Sequence, residues 1–183
     1  MVSQFVSPDN VTLLGELDFD FPEGTHAIGR LDNHSEGLLL LTTDKRITRL
    51  LFSSEVPHKR TYLVQVNNTV SEEQLQHLNE GISIRIKGGE YYTTTPCNAF
   101  IVPPPVQFER EDSILSSLNI PCTWLSITLT EGKFHQIRKM VKAIHHRTMR
   151  LIRVSIEGME LGKLKPGEVK EIGQKEFFEK LKL

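Results

Sequence analysis

Four consecutive leucines, Leu38 to Leu41, constrain the fold of this 183-residue chain more than any other feature. Gly37 bounds the run on one side and Thr43-Asp44 on the other, and these boundaries predict a strand buried on both faces. The polar segment before it, Asp32 to Glu36, is predicted to be a loop, because buried polar groups without partners are costly. Loops often carry catalytic groups. From the residues alone, however, the favoured interpretation is that Asp32 only closes a turn through its side chain.

The remaining apolar pattern alternates short strands with few helices. Strands are predicted at residues 60–66, 82–86, 91–95, 99–102, 124–130, 149–156 and 169–172. Helices are predicted at 45–53, from Ser71 to a stop at Gly81, at 135–145 and at 174–183. Gln74 completes a capping box with Ser71, and the 135–145 helix has one apolar face, formed by Ile137, Met140, Val141 and Ile144. This order predicts an α+β fold with a mixed, mostly antiparallel central sheet and flanking helices.

The composition is typical of one globular domain covering residues 1–183. Hydrophobic residues make up 38% of the chain and charged residues 25%, and the length allows a sizeable core. Cys97 and Cys122 show no metal-binding or redox spacing, so a reducing, cytoplasmic setting is expected. Neither a signal peptide nor a membrane-spanning stretch is indicated. Residues 103–120, which begin with three prolines, are expected to be a variable surface excursion.

The formal net charge of −1 hides a strong asymmetry along the chain. Residues 1–24 carry five acidic side chains and no Lys or Arg, whereas residues 133–153 carry seven Lys and Arg and no Asp or Glu. A local basic surface of this kind suits a polyanion such as nucleic acid. The simpler alternative is a solvated helix face.

Four segments of the chain resemble, in the same order, the motifs of the pseudouridine synthases. The first is Gly29-Arg30-Leu31-Asp32 with Ser35-Glu36-Gly37 and the leucine run. The others are Lys59-Arg60-Thr61-Tyr62-Leu63-Val64, Glu131-Gly132-Lys133-Phe134-His135-Gln136-Ile137-Arg138-Lys139-Met140, and Leu151 to Pro166. One such motif is a weak signal, but four in order make chance an improbable explanation. The leucine-rich form is similar to the branch that modifies ribosomal RNA of bacteria and plastids, the A-type synthases of the small ribosomal subunit.

This resemblance implies a two-lobed catalytic domain with a central cleft. Members of the family usually open with a strand containing a Lys-Pro step, often after a small RNA-binding domain of the S4 type. Neither is visible in residues 1–25, so we expect a bare catalytic domain that lacks its first strand.

The resemblance also implies three catalytic residues, Asp32, Tyr62 and Arg138. Asp32 is the expected nucleophile or ribose-stabilising carboxylate, and the choice between attack at C1′ and elimination at C2′ stays open. Arg138 is expected to provide the cation that a carboxylate in a closed pocket needs; its alternative is a surface helix charge. Tyr62 is expected to pack against the uracil and to assist proton removal from C5; its alternative is a core aromatic.

A second set is expected to bind the substrate: Arg30, Lys59, Lys133, His135, Gln136, Ile137 and Lys139. The polar members at the start of the basic helix suit phosphate, and Ile137 matches an aliphatic residue of the uracil pocket. For Ile137, the alternative is plain core packing. The histidines lack metal-ligand spacing and no phosphate-cradling glycine loop is present, so neither a metal nor a nucleotide cofactor is expected.

The expected function is therefore isomerisation of a specific uridine to pseudouridine in ribosomal RNA by a cytoplasmic monomer. The target base must leave its stack, which costs least in loops and exposed strands. One alternative is a non-catalytic RNA-binding protein that keeps the fold. Another is a hydrolase with Asp32 as general acid, for which Glu36 is the only nearby second carboxylate.

Overall fold

A computed structural model describes residues 1–52, 56–108 and 121–183. The chain divides into two compact units, the first formed by residues 1–59 and 153–183 and the second by residues 60–152. In chain order the strands and α-helices are β1 (His26–Ile28), β2 (Glu36–Gly37), β3 (Leu40–Thr42), α1 (Ile47–Phe52), β4 (Arg60–Asn67), α2 (Glu72–Glu80), β5 (Ser83–Arg85), β6 (Tyr91–Thr93), β7 (Asn98–Val102), β8 (Cys122–Leu129), α3 (Gln136–Ala143), β9 (Thr148–Ile156), β10 (Met159–Glu160) and α4 (Gln174–Leu181). Short 3-10 turns occupy Leu14–Glu16, Lys87–Gly89 and Val106–Phe108.

The first unit is built on short antiparallel pairings. Strand β1 pairs with β3, placing Ile28 opposite Leu40, and β9 pairs with both β10 and β2. The core of this unit lies between these strands and the helices α1 and α4. Its buried members are Ile28, Leu38, Leu40, Ile47, Leu51, Ile156, Met159 and Leu181. The predicted terminal helix is confirmed, and it packs Phe177, Phe178 and Leu181 on this core.

The second unit is organised around β4, which lies between β9 and β8, with β7 at the edge beyond β8. The β4–β8 pairing is antiparallel and places Tyr62 opposite Ile127. The capping box predicted for α2 is confirmed, since Gln74 N–H donates to Ser71 Oγ while Ser71 N–H donates to Gln74 Oε1. Helix α3 buries Ile137, Met140 and Val141 in the core of this unit. The predicted mixed, mostly antiparallel α+β fold is confirmed.

The leucine run departs from its prediction of one strand buried on both faces. Leu38 and Leu40 are 7% and 6% exposed, but Leu39 and Leu41 are only half-buried. The backbone N–H of Leu38 donates to the Arg153 carbonyl, and Arg153 Nε donates to the Leu38 carbonyl, both at 2.8 Å. These bonds tie the start of the run to β9, whereas Leu40 to Thr42 pair with β1. The prediction was wrong because the run serves two partners and breaks between them.

The strand predicted at residues 169–172 is also absent, and this segment has no regular structure. It follows a turn in which Gly167 has a φ of 79° and Glu168 N–H donates to the Lys165 carbonyl. Ile172 nevertheless packs on the first-unit core. The apolar residues there reflect burial rather than pairing.

Two other predictions fall partly outside the described residues. Helix α1 begins at Ile47 rather than Lys45, because the Ile47 N–H donates to the Asp44 carbonyl three residues back and so closes a turn before the helix. The Asp44 side chain accepts the Arg46 N–H at 2.9 Å, as a capping residue does. Ser53, the predicted end of the helix, lies outside the described residues. Residues 109–120 of the expected excursion also lie outside them. The assignment of residues 1–183 to a single catalytic domain stays a prediction. In the described part of the chain, no helix combines the length and apolarity needed to cross a membrane.

Candidate active site

The loop that carries Asp32 is held by hydrogen bonds at several points. It follows β1, where Gly29 takes a φ of 71°. Leu31 N–H donates to Ser3 Oγ at 3.0 Å, and Ser35 N–H donates to the Asp32 carbonyl at 2.8 Å, closing a turn. The Asp32 residue is half-buried. The prediction of a loop is confirmed, and both this turn and the strands beside it fix the backbone at Asp32.

Gly37, at the end of β2, anchors the loop to β9. Its φ is 101°, and a Cβ added there would lie 2.3 Å from the Arg153 carbonyl oxygen. Arg153 itself is only 4% exposed. Glycine is therefore required at position 37 both for its backbone conformation and for this close approach.

Arg30 and Lys59, the other predicted site residues of the first unit, are both exposed. The backbone N–H of Lys59 donates to Glu157 Oε1. The Glu157 side chain is 4% exposed, with Lys182 Nζ at 2.7 Å and His58 Nδ1 at 3.7 Å. Burial by itself raises the pKa of Glu157, but the hydrogen bonds from Lys182 and Lys59 and the charges of Lys182 and His58 outweigh it, and the pKa lies below its ordinary value. This arrangement fixes the backbone at Lys59 and leaves its side chain exposed.

The second unit contains the remaining predicted residues. Tyr62 lies on β4, half-buried, and packs against the hydrophobic core. Arg138 and Lys139 lie on α3 and are half-buried. Ile137 is 4% exposed within the core, so its contacts are those of the core-packing alternative.

A polar network closes the turn that leads into α3. Glu131 accepts hydrogen bonds from the Tyr92 hydroxyl, from Thr95 N–H at 3.1 Å and from Gln136 Nε2 at 2.6 Å. Gln136 Oε1 accepts the Lys133 N–H at 2.8 Å. Because Gln136 is 4% exposed and bonds inward through both polar atoms, it shapes this turn; substrate binding by Gln136 stays a prediction.

Glu131 perturbs two neighbouring groups. Its hydrogen bond, together with burial and its charge, raises the pKa of Tyr92. Burial and the Glu131 charge raise the pKa of the Cys97 thiol to about 11. A thiol with so high a pKa is a poor nucleophile.

The structure places His135 and Lys139 against one side chain that the sequence did not single out, Phe134. Its ring stacks on that of His135 at a centroid distance of 3.9 Å, and Lys139 Nζ lies 5.4 Å from its centroid. Glu131 was missed as well. The signal for it was its place after the end of β8, directly before Gly132 and the basic segment.

Arg30, Asp32 and Lys59 thus belong to the first unit, and Tyr62 and the residues from 133 to 139 belong to the second. A pairing of Asp32 with Arg138 stays a prediction. Among the described residues, no group of three or more His, Cys, Asp and Glu side chains could hold a metal ion. The expectation of a metal-free and cofactor-free protein likewise stays a prediction.

Comparisons with known proteins identify the family of this chain. The family model described as RNA pseudouridylate synthase matches residues 11–143. The chain is 36% identical to the ribosomal large subunit pseudouridine synthase E of Vibrio parahaemolyticus, over 93% of the chain and 69% of that protein. It is 27% identical to the ribosomal small subunit pseudouridine synthase A of Escherichia coli, over 93% and 65%. A crystal structure of a pseudouridylate synthase superimposes with a TM-score of 0.75 at 29% identity, covering 98% of this chain and 68% of that one. The chain belongs to the RNA pseudouridylate synthase family.

Proposed function

We propose that this protein converts a uridine of ribosomal RNA to pseudouridine, with Asp32 as the catalytic carboxylate. The observation that carries the proposal is the family match over residues 11–143, which includes Asp32, Tyr62 and Arg138. The turn that fixes Asp32 supports it, because a catalytic group must be held in place by its surroundings.

The reaction breaks the bond between uracil N1 and ribose C1′, turns the base, and rejoins it through C5. A carboxylate either attacks C1′ or stabilises an oxocarbenium-like centre there, and Asp32 is proposed for this step. Tyr62 and Arg138 are the other proposed catalytic residues. Arg30, Lys59, Lys133, His135 and Lys139 are proposed to bind the RNA, since exposed or half-buried basic side chains suit phosphate.

The identity of the RNA is a finer proposal. Two relatives named for the large ribosomal subunit share 36% and 38% identity with this chain, compared with 27% for the relative named for the small subunit. We therefore favour a uridine of large-subunit ribosomal RNA over the small-subunit target that the leucine-rich motif suggests through its likeness to the A-type synthases. A monomer acting in the cytoplasm remains part of this proposal.

Mapping pseudouridines in both ribosomal RNAs, with and without the purified protein, tests the proposal. Protein-free synthetic transcripts are the starting material, so that any pseudouridine comes from this protein. The expected result is conversion of one uridine, or a few closely spaced ones, in the large-subunit transcript. Binding of the transcripts without any conversion would instead support the alternative of a non-catalytic RNA-binding protein.

A further inference from the structure

Phe134 is a large aromatic side chain that is 71% exposed just before the start of α3. Single exposed apolar residues are common on protein surfaces and need no explanation by themselves. The surroundings of Phe134, however, are unusual in three respects: its ring contacts, its nearby charges and the rigidity of its backbone.

The ring contacts come from two basic residues. The imidazole of His135 stacks on the Phe134 ring with an interplanar angle of 17°. Lys139 Nζ lies 5.4 Å from the ring centroid, within the range of a cation–π interaction. Phe134 remains 71% exposed despite both contacts, so ring surface beyond the face covered by His135 is open to a further planar group.

The charged residues that follow Phe134 in the chain are all positive as far as Arg153. Residues 133–153 contain seven Lys and Arg and no Asp or Glu, and Lys133 is exposed next to Phe134 in the chain. The adjacent acidic residue, Glu131, directs its carboxylate to Tyr92, Thr95 and Gln136. A planar ligand bound on this ring would therefore meet cations, which favours an anionic chain.

The backbone under the ring is fixed. Gln136 closes the turn through Lys133 N–H and Glu131, and Gln136 N–H donates to the Lys133 carbonyl at 3.0 Å. His135 takes a left-handed conformation with a φ of 54°, which is uncommon for a residue other than glycine. Phe134 is thus presented outward by a preformed turn, so little ordering is needed when a ligand binds.

We propose that Phe134 stacks an unpaired nucleobase of the substrate RNA other than the target uridine, while Lys133 and Lys139 contact the neighbouring phosphates. Stacking on an aromatic ring flanked by cations is the general way in which proteins hold single-stranded RNA. This inference rests on the proposed function for its RNA substrate. Because every base has a planar face, Phe134 would add affinity for unpaired RNA without selecting a sequence.

The test compares two fluorescein-labelled RNAs of equal length: a hairpin with a uridine-rich loop and a fully paired duplex. Phe134→Ala is expected to weaken hairpin binding about fivefold to 150-fold, the range for one stacked base, and to change duplex binding by less than about twofold. Phe134→Trp should restore hairpin binding, because it returns a stacking surface. The salt dependence should be unaltered in Phe134→Ala, since no cation is removed.

Tyr91→Ala is the matched control, because Tyr91 is an aromatic residue of the same unit that is 76% exposed and lies outside the basic stretch. It should bind both RNAs as the unaltered protein does. Equal weakening of hairpin and duplex by Phe134→Ala, or no weakening of either, would overturn the inference. The proposed function is judged separately, by whether the unaltered protein forms pseudouridine in ribosomal RNA.

Discussion

Gln136 Nε2 donates a hydrogen bond to Glu131 Oε1 across 2.6 Å, and this contact joins the segment after β8 to the first residue of α3. The same Gln136 side chain accepts the Lys133 N–H. The buried Gln136 amide therefore fixes the backbone conformation of the turn from Lys133 to His135. The basic residues proposed to hold RNA depend on it for their position.

Replacement of this amide should cost stability. Gln136→Leu keeps the size of the side chain but leaves the Lys133 N–H and part of the Glu131 carboxylate without their partner. We expect a loss of about 1–3 kcal/mol in the free energy of unfolding, measured by urea denaturation. Gln76→Leu is the control, because the hydrogen bond of Gln76 to Glu80 is exposed, and its effect should stay within about 0.5 kcal/mol. Equal effects of the two changes would mean that the buried network contributes little.

Gly37 offers a sharper comparison between two glycines with positive φ. Gly24 has a φ of 81° and an added Cβ there would meet nothing within 4 Å, so Gly24→Ala should cost only the backbone strain of about 1–3 kcal/mol. At Gly37 the added Cβ would also lie 2.3 Å from the Arg153 carbonyl. Gly37→Ala should therefore destabilise the protein by about 1–3 kcal/mol more than Gly24→Ala, the usual range for overpacking.

Thermal or urea unfolding of Gly24→Ala and Gly37→Ala measures these two losses of stability. Similar losses in both would show that the approach of Gly37 to Arg153 is looser than the structure indicates. A larger loss in Gly37→Ala should be accompanied by lower pseudouridine synthesis, because β2 anchors the loop of Asp32.

Glu157 should make stability depend on pH. Its pKa is lowered in the folded protein by Lys182, Lys59 and His58, against the opposing effect of burial. A carboxyl whose folded pKa is lowered stabilises the fold above its ordinary pKa, and this contribution is lost as the pH falls through the folded value. The stability of the unaltered protein relative to Glu157→Gln should therefore be greatest near neutral pH and should shrink on acidification. A difference that stays constant from neutral to acidic pH would contradict this.

Lysine variants separate the Lys182–Glu157 ion pair, in which the carboxylate is buried and the lysine exposed, from a pair that is exposed on both sides. Lys182 Nζ lies 2.7 Å from the Glu157 carboxylate, whose side chain is 4% exposed. Lys175 Nζ lies 3.9 Å from Glu179, and both of those side chains are largely exposed. Lys182→Ala should lower the free energy of unfolding at neutral pH, whereas Lys175→Ala should change it by less than about 0.5 kcal/mol.

Much of this architecture could be predicted from the sequence, where local signals and tertiary packing agree. The Ser71–Gln74 capping box, the apolar face of α3 and the strand β4 were each predicted from local sequence, and each is present. The prediction of one buried strand at Leu38 to Leu41 was wrong because Leu38 bonds to Arg153, which lies far along the chain. No local sequence pattern indicates a partner so distant in the chain. The strand predicted at residues 169–172 was wrong because Ile172 packs, partly buried, on the core without forming a strand.

The candidate site could likewise be predicted from the sequence only in part. Motif order singles out Asp32, Tyr62 and Arg138 as candidates, and their catalytic roles stay predictions. The apolar spacing also indicated that Ile137 could lie in the core, as it does. This spacing could not indicate that Gln136 bonds to Glu131 and Lys133, since polar residues carry no such pattern. Phe134 was overlooked because an aromatic residue in a sequence usually signals burial, and only the structure shows it exposed beside Lys139.

RNA binding should weaken with salt through the basic face of α3. Lys142 is exposed and Lys139 is half-buried beside Phe134. Each of Lys139→Ala and Lys142→Ala should reduce the slope of log affinity against log salt by about 0.7 for a single-stranded contact. Neither should change which uridine is modified, because phosphate contacts position the RNA without reading its sequence. Lys87→Ala, an exposed change in the turn between β5 and β6, is the control. An unchanged slope or a changed target uridine would exclude this face as the phosphate contact.

Asp32→Asn tests the central claim most directly. The amide keeps the size of the carboxylate and the backbone turn to Ser35, so folding and RNA binding should be retained, but it cannot act as a nucleophile or as an anion. The measurement is tritium release from uridine labelled at C5 in ribosomal RNA, with circular dichroism and RNA affinity recorded on the same preparation. We predict release by the unaltered protein and none above background by Asp32→Asn. Release by Asp32→Asn at the unaltered rate would contradict the assignment of Asp32 as the catalytic carboxylate.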